Sequence, residues 1–346
     1  MLSQKTIFKS LINALILTAL LTFKAYSSSA NILIYHKFDE KNSPSTSVSM
    51  KDFKMQMEYL KNNNYNVVSL KEIIDYLKTG KPIPPKTVAI TIDDGYRSTM
   101  KAFKILKKYN FPFTLFLYAE GISRHYPAYL TPKELTEIAN YPKVSFGNHS
   151  YSHKRFAKLI KTMDKKKYKQ LIKQDTLKAQ EIIKKLTGKN TSFYAFPYGE
   201  YNKTYIEALK ELNLFKGIFS QDSAAVSNLT PVYLIPRKPV VGSWSTMRKF
   251  RKMLEKEALP VIKHNPPADY IKENLINIYA EIENPENYKN CHIYISEKGW
   301  IKARKIGNRI ESTKPLKITR WKNRISIECY NRKTGNFANY IWMIIH

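Results

Sequence analysis

Residues 87–92 read TVAITI, and the next three read DDG. A strand that is apolar or β-branched at every position, rather than at alternate ones, is covered on both faces, as in parallel sheets flanked by helices. That limits the fold class at once. The two acids limit the function. Ligands and catalytic groups collect at the carboxyl ends of such strands. One aspartate before glycine is accounted for by a turn or a helix N-cap, but Asp93 and Asp94 together are costly to place there without a function.

The first 267 residues repeat strand and helix in alternation. NILIYHKF (31–38) is a short apolar strand. Phe53, Met57 and Leu60 fall at helical spacing, and SLKEIIDYLKTG (69–80) carries a serine N-cap, Glu72 three residues on, and a closing Gly80. Helices are expected at 96–109, in the Lys-rich stretch 164–187 and at 202–213. Strands are expected at FTLFLYA (113–119), KVSFGNH (143–149), SFYAF (192–196) and KGIFS (216–220). The alternation argues for parallel strands, in an open doubly wound sheet or a barrel. After residue 268, short alternating runs such as HIYISEKG and RISIECYN lie between turn residues, the pattern of a small all-β module. A chain of 346 residues has room for both units.

Lys5 and Lys9 precede the apolar run LINALILTALLTF (11–23), which leads to SSSA (27–30). That is the order of a secretory signal peptide, with cleavage expected after Ala30. The thirteen residues of the run fall short of the roughly 20 a spanning helix needs; an uncleaved anchor is the alternative. Export to the periplasm, the cell surface or the medium is expected, with no stable membrane span after cleavage and surface contact with a membrane left open. In an oxidising compartment Cys291 and Cys329 can pair, or they stay two buried thiols. The net charge of +30 shows no single basic stripe. It reflects solvated helix faces and codon usage, or else attraction to an anionic glycan or lipid surface. No nucleic-acid-binding motif is present, so nucleic acid is not an expected partner.

Two more stretches close strand-like runs. In GNHSYSH (147–153), His149 and His153 are four apart, a spacing that brings two imidazoles to one face of a helical turn. Two histidines and a carboxylate, with positions left open for water, make a hydrolytic metal site. In YAFPYGEYN (194–202), proline and glycine around Tyr198 mark a sharp turn with exposed backbone.

TIDDG, HSYSH and FPYG, in this order, resemble the motifs of the polysaccharide deacetylases, the NodB-homology superfamily or carbohydrate esterase family four. YHKF (35–38) and IPRKPV (235–240) are similar to segments of its exported members, and the likeness runs from about residue 31 to 265. The resemblance implies an α/β fold, a distorted (β/α)7 barrel over residues 31–267, between a signal peptide (1–30) and a β-rich C-terminal module (268–346). It implies a metal-dependent hydrolase that removes N-acetyl groups from an N-acetylglucosamine-containing cell-surface or cell-wall polysaccharide, releasing acetate.

By position in the motifs, Asp93 would be the general base, and Asp94, His149 and His153 would hold Zn²⁺ or a similar ion such as Co²⁺, Ni²⁺ or Fe²⁺. Ser150 would brace the metal-site loop, and Pro197 would fix the turn that presents the Tyr198 N–H to the oxyanion. Where many members carry an arginine that orients the base, this chain has Ala195, and Arg237 is taken to supply the charge. His264 is the expected general acid, with His36 as its rival. Trp244, Tyr118 and Tyr151 are candidates to face sugar; His125, His292 and His346 are assigned no role. Two other readings stay open: an O-acetyl esterase or small-amide hydrolase on the same barrel, and a non-catalytic glycan-binding protein.

Overall fold

The computed structural model describes residues 28–346. Residues 1–27, most of the expected signal peptide, lie outside the described residues. Eight strands form a parallel sheet: β1 (Ala30–Tyr35), β2 (Asn66–Val68), β3 (Thr87–Ile92), β4 (Phe113–Leu117), β5 (Val144–Asn148), β6 (Phe193–Ala195), β7 (Gly217–Phe219) and β8 (Lys238–Pro239). The order is β8-β1-β3-β4-β5-β6-β7, with β2 also paired to β3. Phe219 of β7 bridges to Ile235, three residues before β8, so the curled sheet meets its own far edge through one short segment. This is the expected distorted barrel.

All six residues of β3 are buried, as a strand covered on both faces requires. It pairs with β1 from Ala30–Thr87 to Tyr35–Ile92. Ala30, expected as the last residue before cleavage, is the buried first residue of β1, and its N–H and C=O both bond to Val226.

Helices α1 (Met50–Asn62), α2 (Leu70–Thr79), α3 (Thr99–Lys108), α4 (Pro132–Ala139), α5 (Lys165–Thr187), α6 (Lys203–Glu211) and α7 (Met247–Glu255) alternate with the strands. Their ends are chemically marked. Ser69 and Glu72 form a capping box on α2, and Gly80 closes it at φ 66°. The Asp164 carboxylate accepts from the Lys166 and Lys167 amides at the start of the long α5. Helices α3, α5 and α6 start one to three residues later than the periodicity suggests.

The second sheet begins earlier than residue 268. Its strands are β9 (Glu257–Ala258), β10 (Val261–Asn265), β11 (Tyr279–Ile282), β12 (Tyr288–Ile295), β13 (Gly299–Ile306), β14 (Arg309–Ser312), β15 (Lys322–Asn331) and β16 (Phe337–Ile345), in the order β9-β16-β15-β12-β13-β14-β11-β10. β9 pairs with β16 in parallel and β10 with β11 antiparallel, which takes residues 257–265 out of the barrel. Ile293, Ile295, Ile325, Ile327, Trp342 and Ile344 share its core. A Cys291–Cys329 disulfide ties β12 to β15. Among the described residues no helix is long and apolar enough to cross a membrane.

Gly147 lets β5 lie close to β4. A Cβ there would overlap the Phe116 ring, which itself lies 4.9 Å from the Arg237 guanidinium. Gly147→Ala is therefore expected to destabilise the protein by about 1–3 kcal/mol through overpacking. The check is the urea midpoint; an unchanged value would mean that the ring has room to move.

Candidate active site

Asp93 and Asp94 follow β3, His149–His153 follows β5, and the Pro197–Gly199 turn follows β6. Asp94 sits in the left-handed region at φ 71°. Its Oδ1 lies 3.3 Å from His149 Nε2 and 3.2 Å from His153 Nε2. The three ligand atoms lie within 4.8 Å of one another, the one such group of three among the described residues. His149 Nδ1 is 2.8 Å from the Ala195 carbonyl on β6. With Nδ1 donating there, Nε2 keeps its lone pair for an ion. Two imidazole nitrogens and a carboxylate oxygen fit a borderline divalent cation.

The two histidines do not meet across a helical turn, as their spacing suggested. A loop folded at Ser150 (φ 71°) and His153 (φ 49°) brings them together instead. The Asn148 side chain accepts from the Ser150 N–H, and Ser150 Oγ accepts from the His153 N–H at 2.9 Å. Asp175 of α5 accepts from the Tyr151 and Ser152 amides. The local hydrogen bonds of Asn, Ser and Asp replace those a helix would have supplied.

Asp93 is fully buried against a fully buried arginine. Arg237 Nη1 donates to Oδ1 at 2.7 Å and Nη2 to Oδ2 at 2.8 Å, a bidentate fork. Arg237 Nη1 also donates to Thr91 Oγ1, and Nε to the Ser220 carbonyl, each at 3.0 Å. Burial alone would raise the Asp93 carboxyl, but the guanidinium, with His149 behind it, outweighs burial and holds it below the usual carboxylate range. Burial also acts upward on Asp94; the His149 and His153 imidazoles, when protonated, outweigh it and hold the carboxyl well below that range.

His36, just past β1, feels both acids as well as His149 and Arg237; burial dominates and lowers its pKa. Its Nδ1 is buried with no hydrogen-bond partner among the described residues. His264 is elsewhere. It lies on β10 of the second sheet, with Nδ1 3.0 Å from the Pro266 carbonyl and its ring 4.5 Å from that of Trp342. The strand carrying His264, expected as the acid, pairs with β11 and not with the barrel sheet.

Tyr198 holds φ 59° between buried Pro197 and Gly199, and its N–H donates to no described group. Its half-exposed ring lies 4.6 Å from the His153 ring and 4.0 Å from the Arg155 guanidinium. Tyr118 packs on the other side of His153, ring centroids 5.4 Å apart. Trp244, exposed, lines a separate cleft of about 220 Å³ with Lys238, Lys249, Lys252, Met253 and Lys256. Sequence reasoning passed over Thr91, Ser220 and Arg155. Thr91 alone left a trace, a hydroxyl in the middle of a buried strand.

The polysaccharide deacetylase family pattern matches residues 80–215. Over 211 residues the chain is 30% identical to the poly-beta-1,6-N-acetyl-D-glucosamine N-deacetylase of Staphylococcus aureus strain MRSA252, covering 60% of this chain and 72% of that one. The Staphylococcus epidermidis protein of the same name is 30% identical over 195 residues, covering 55% and 67%. Among solved structures, the Streptococcus pyogenes deacetylase in complex with acetate superposes with a TM-score of 0.57 at 20% identity, over 65% of this chain and 98% of that one. IcaB from Ammonifex degensii gives 0.56 at 24% identity, over 66% and 98%. A curled parallel sheet with a candidate metal triad beside a buried acid defines a hydrolase of the NodB type. The chain belongs to the polysaccharide deacetylase family, enzymes that hydrolyse linear amide bonds.

Removing one member of a buried ion pair is expected to cost about 3–5 kcal/mol, because the other charge is left unpaired. Arg237→Met and Asp93→Asn should each destabilise, and the double variant should lose less than their sum. Urea unfolding of all four proteins checks this; strict additivity would mean that the pair is uncoupled.

Proposed function

We propose that this protein removes N-acetyl groups from a poly-N-acetylglucosamine-type surface polysaccharide, releasing acetate and leaving free amines. The observation that carries the reading is the ionised, buried Asp93 held by Arg237 beside the Asp94–His149–His153 cluster. A carboxylate kept charged beside a set of metal ligands is what a general base for metal-assisted hydrolysis requires. The staphylococcal relatives named for poly-beta-1,6-N-acetyl-D-glucosamine support the choice of substrate.

Asp94, His149 and His153 would hold a divalent ion, with Zn²⁺ the expected species and Co²⁺, Ni²⁺ or Fe²⁺ as substitutes. Bound there, such an ion polarises an acetamide carbonyl and lowers the pKa of its water. Asp93 accepts the proton of the attacking water, with Arg237 fixing the carboxylate's orientation and charge. The free N–H of Tyr198 points its dipole at the developing oxyanion, a contribution of about 3–4 kcal/mol to the barrier when such a donor is preorganised. His36, whose buried Nδ1 has no hydrogen-bond partner among the described residues, protonates the leaving amine. Export belongs to this proposal and is supported by the pattern of residues 1–30 and by the Cys291–Cys329 bridge.

Acetate release from β-1,6-linked N-acetylglucosamine oligomers tests the reading. Activity should vanish with a chelator and return with Zn²⁺, and Asp93→Asn should lower kcat by about 10²–10⁴-fold. A chelator-insensitive activity, or Asp93→Asn at full rate, would contradict it. In the same assay His36→Ala should fall by about 10²-fold, whereas His264→Ala should stay near the parent value. The reverse ranking would return the role of acid to His264.

A further inference from the structure

The second sheet packs directly on the turn that carries Tyr198. Tyr198 and Gly199 are consecutive left-handed residues, at φ 59° and 61°. For a tyrosine that conformation costs about 1–2 kcal/mol and persists only where surrounding contacts over-determine it. Part of the support comes from the barrel, where Phe196 N–H donates to the Phe219 carbonyl. Further support comes from β15 and β16. Lys322 Nζ donates to Glu200 Oε1 at 2.7 Å, on the same carboxylate that Arg155 pairs with. The Met343 N–H donates to Tyr201 Oη at 2.8 Å, and Tyr201 Oη donates to Asp222 Oδ2 at 2.7 Å.

Arg324 stands where these contacts meet. Its Nε donates to Asp222 Oδ1 at 3.0 Å, and its Nη2 reaches the Gly199 carbonyl at 3.4 Å. Asp222 is buried and also accepts from Ser220 Oγ at 2.9 Å. The carbonyl of that same Ser220 accepts from Arg237 Nε. One side chain of the second sheet thus touches the backbone of the Tyr198 turn and, through Asp222 and Ser220, the arginine that grips Asp93. Glu200 and Asp222 are buried carboxylates whose cationic partners include β15 residues more than a hundred positions away.

We propose that Arg324 is a positioning residue for the Pro197–Gly199 turn, so that the C-terminal sheet is part of the catalytic unit. The inference rests on the deacetylase reading of the site and adds a role for the sheet. If the sheet were a separate substrate-binding module, Arg324 would matter for long polymers and for KM. If it holds the turn, Arg324 matters for kcat on any substrate, however short.

Arg324→Ala, Arg324→Lys and the control Arg320→Ala, a solvent-exposed arginine after Thr319, would be compared on an N-acetylglucosamine trimer and on the polymer. Arg324→Ala should lower kcat by about 10- to 100-fold on both, with KM and bound zinc unchanged. Arg324→Lys should recover part of the loss, and Arg320→Ala should match the parent. Hydrogen exchange gives a second readout that needs no activity: the amides of 196–202 should exchange faster in Arg324→Ala while those of 149–153 do not. An unchanged kcat, a loss confined to KM on the polymer, or unchanged exchange at 196–202 would overturn the proposal. A parent protein inactive on every acetylated glycan would instead overturn the functional reading, and the exchange data would still decide whether Arg324 positions the turn.

Discussion

The buried pair of Asp93 and Arg237 is the interaction on which the rest of the site depends. Neither side chain is exposed, so the desolvation of both has to be offset by geometry. The bidentate fork, the Thr91 hydroxyl and the Ser220 carbonyl supply it, with the Phe116 and Phe219 rings 4.9 and 5.9 Å away. The pair also joins distant parts of the barrel. Asp93 follows β3, Ser220 follows β7, and Arg237 precedes β8, the edge strand through which the sheet nearly closes. Fold closure and charge on Asp93 are therefore one event. A carboxylate this dry stays ionised only while the guanidinium faces it.

Around that pair the backbone is held in conformations that side-chain-bearing residues disfavour. Asp94, Ser150, His153 and Tyr198 all have positive φ, and each belongs to one of the three stretches that build the site. Strain of this kind needs support from neighbours. Asn148, Asp175 and Ser150 itself support the histidine loop, and the second sheet supports the Tyr198 turn. The sites of support differ, which is why the histidine loop and the Tyr198 turn should respond separately to perturbation.

What was legible in the sequence was what is local. TVAITI followed by DDG announced a doubly covered strand with acids at its mouth, because burial and turn chemistry act within a few residues. The strand–helix alternation gave parallel strands, the family resemblance chose the barrel over an open sheet, and the short alternating runs gave a β module. Arg237 beside Asp93 was expected only from the family resemblance, which places an arginine where this chain has Ala195, and the structure has the Arg237 guanidinium there. Strand partnership was not legible. VIKHN reads equally well as a last barrel strand or as the first strand of the next sheet, and its pairing with β11 put His264 against Trp342. Nor did His149 and His153 need a helix to meet. The contacts of Lys322 and Arg324 with residues 199–222 join segments more than a hundred residues apart, and nothing in the local pattern of β15 points to them.

The most direct test is a crystal structure of the zinc-loaded protein with anomalous data collected at the zinc edge. The account predicts one strong peak bound by Asp94 Oδ1, His149 Nε2 and His153 Nε2, with Asp93 unligated to the metal and still forked on Arg237. A peak coordinated by Asp93, or an Arg237 turned away from it, would contradict the assignment of Asp93 as the base.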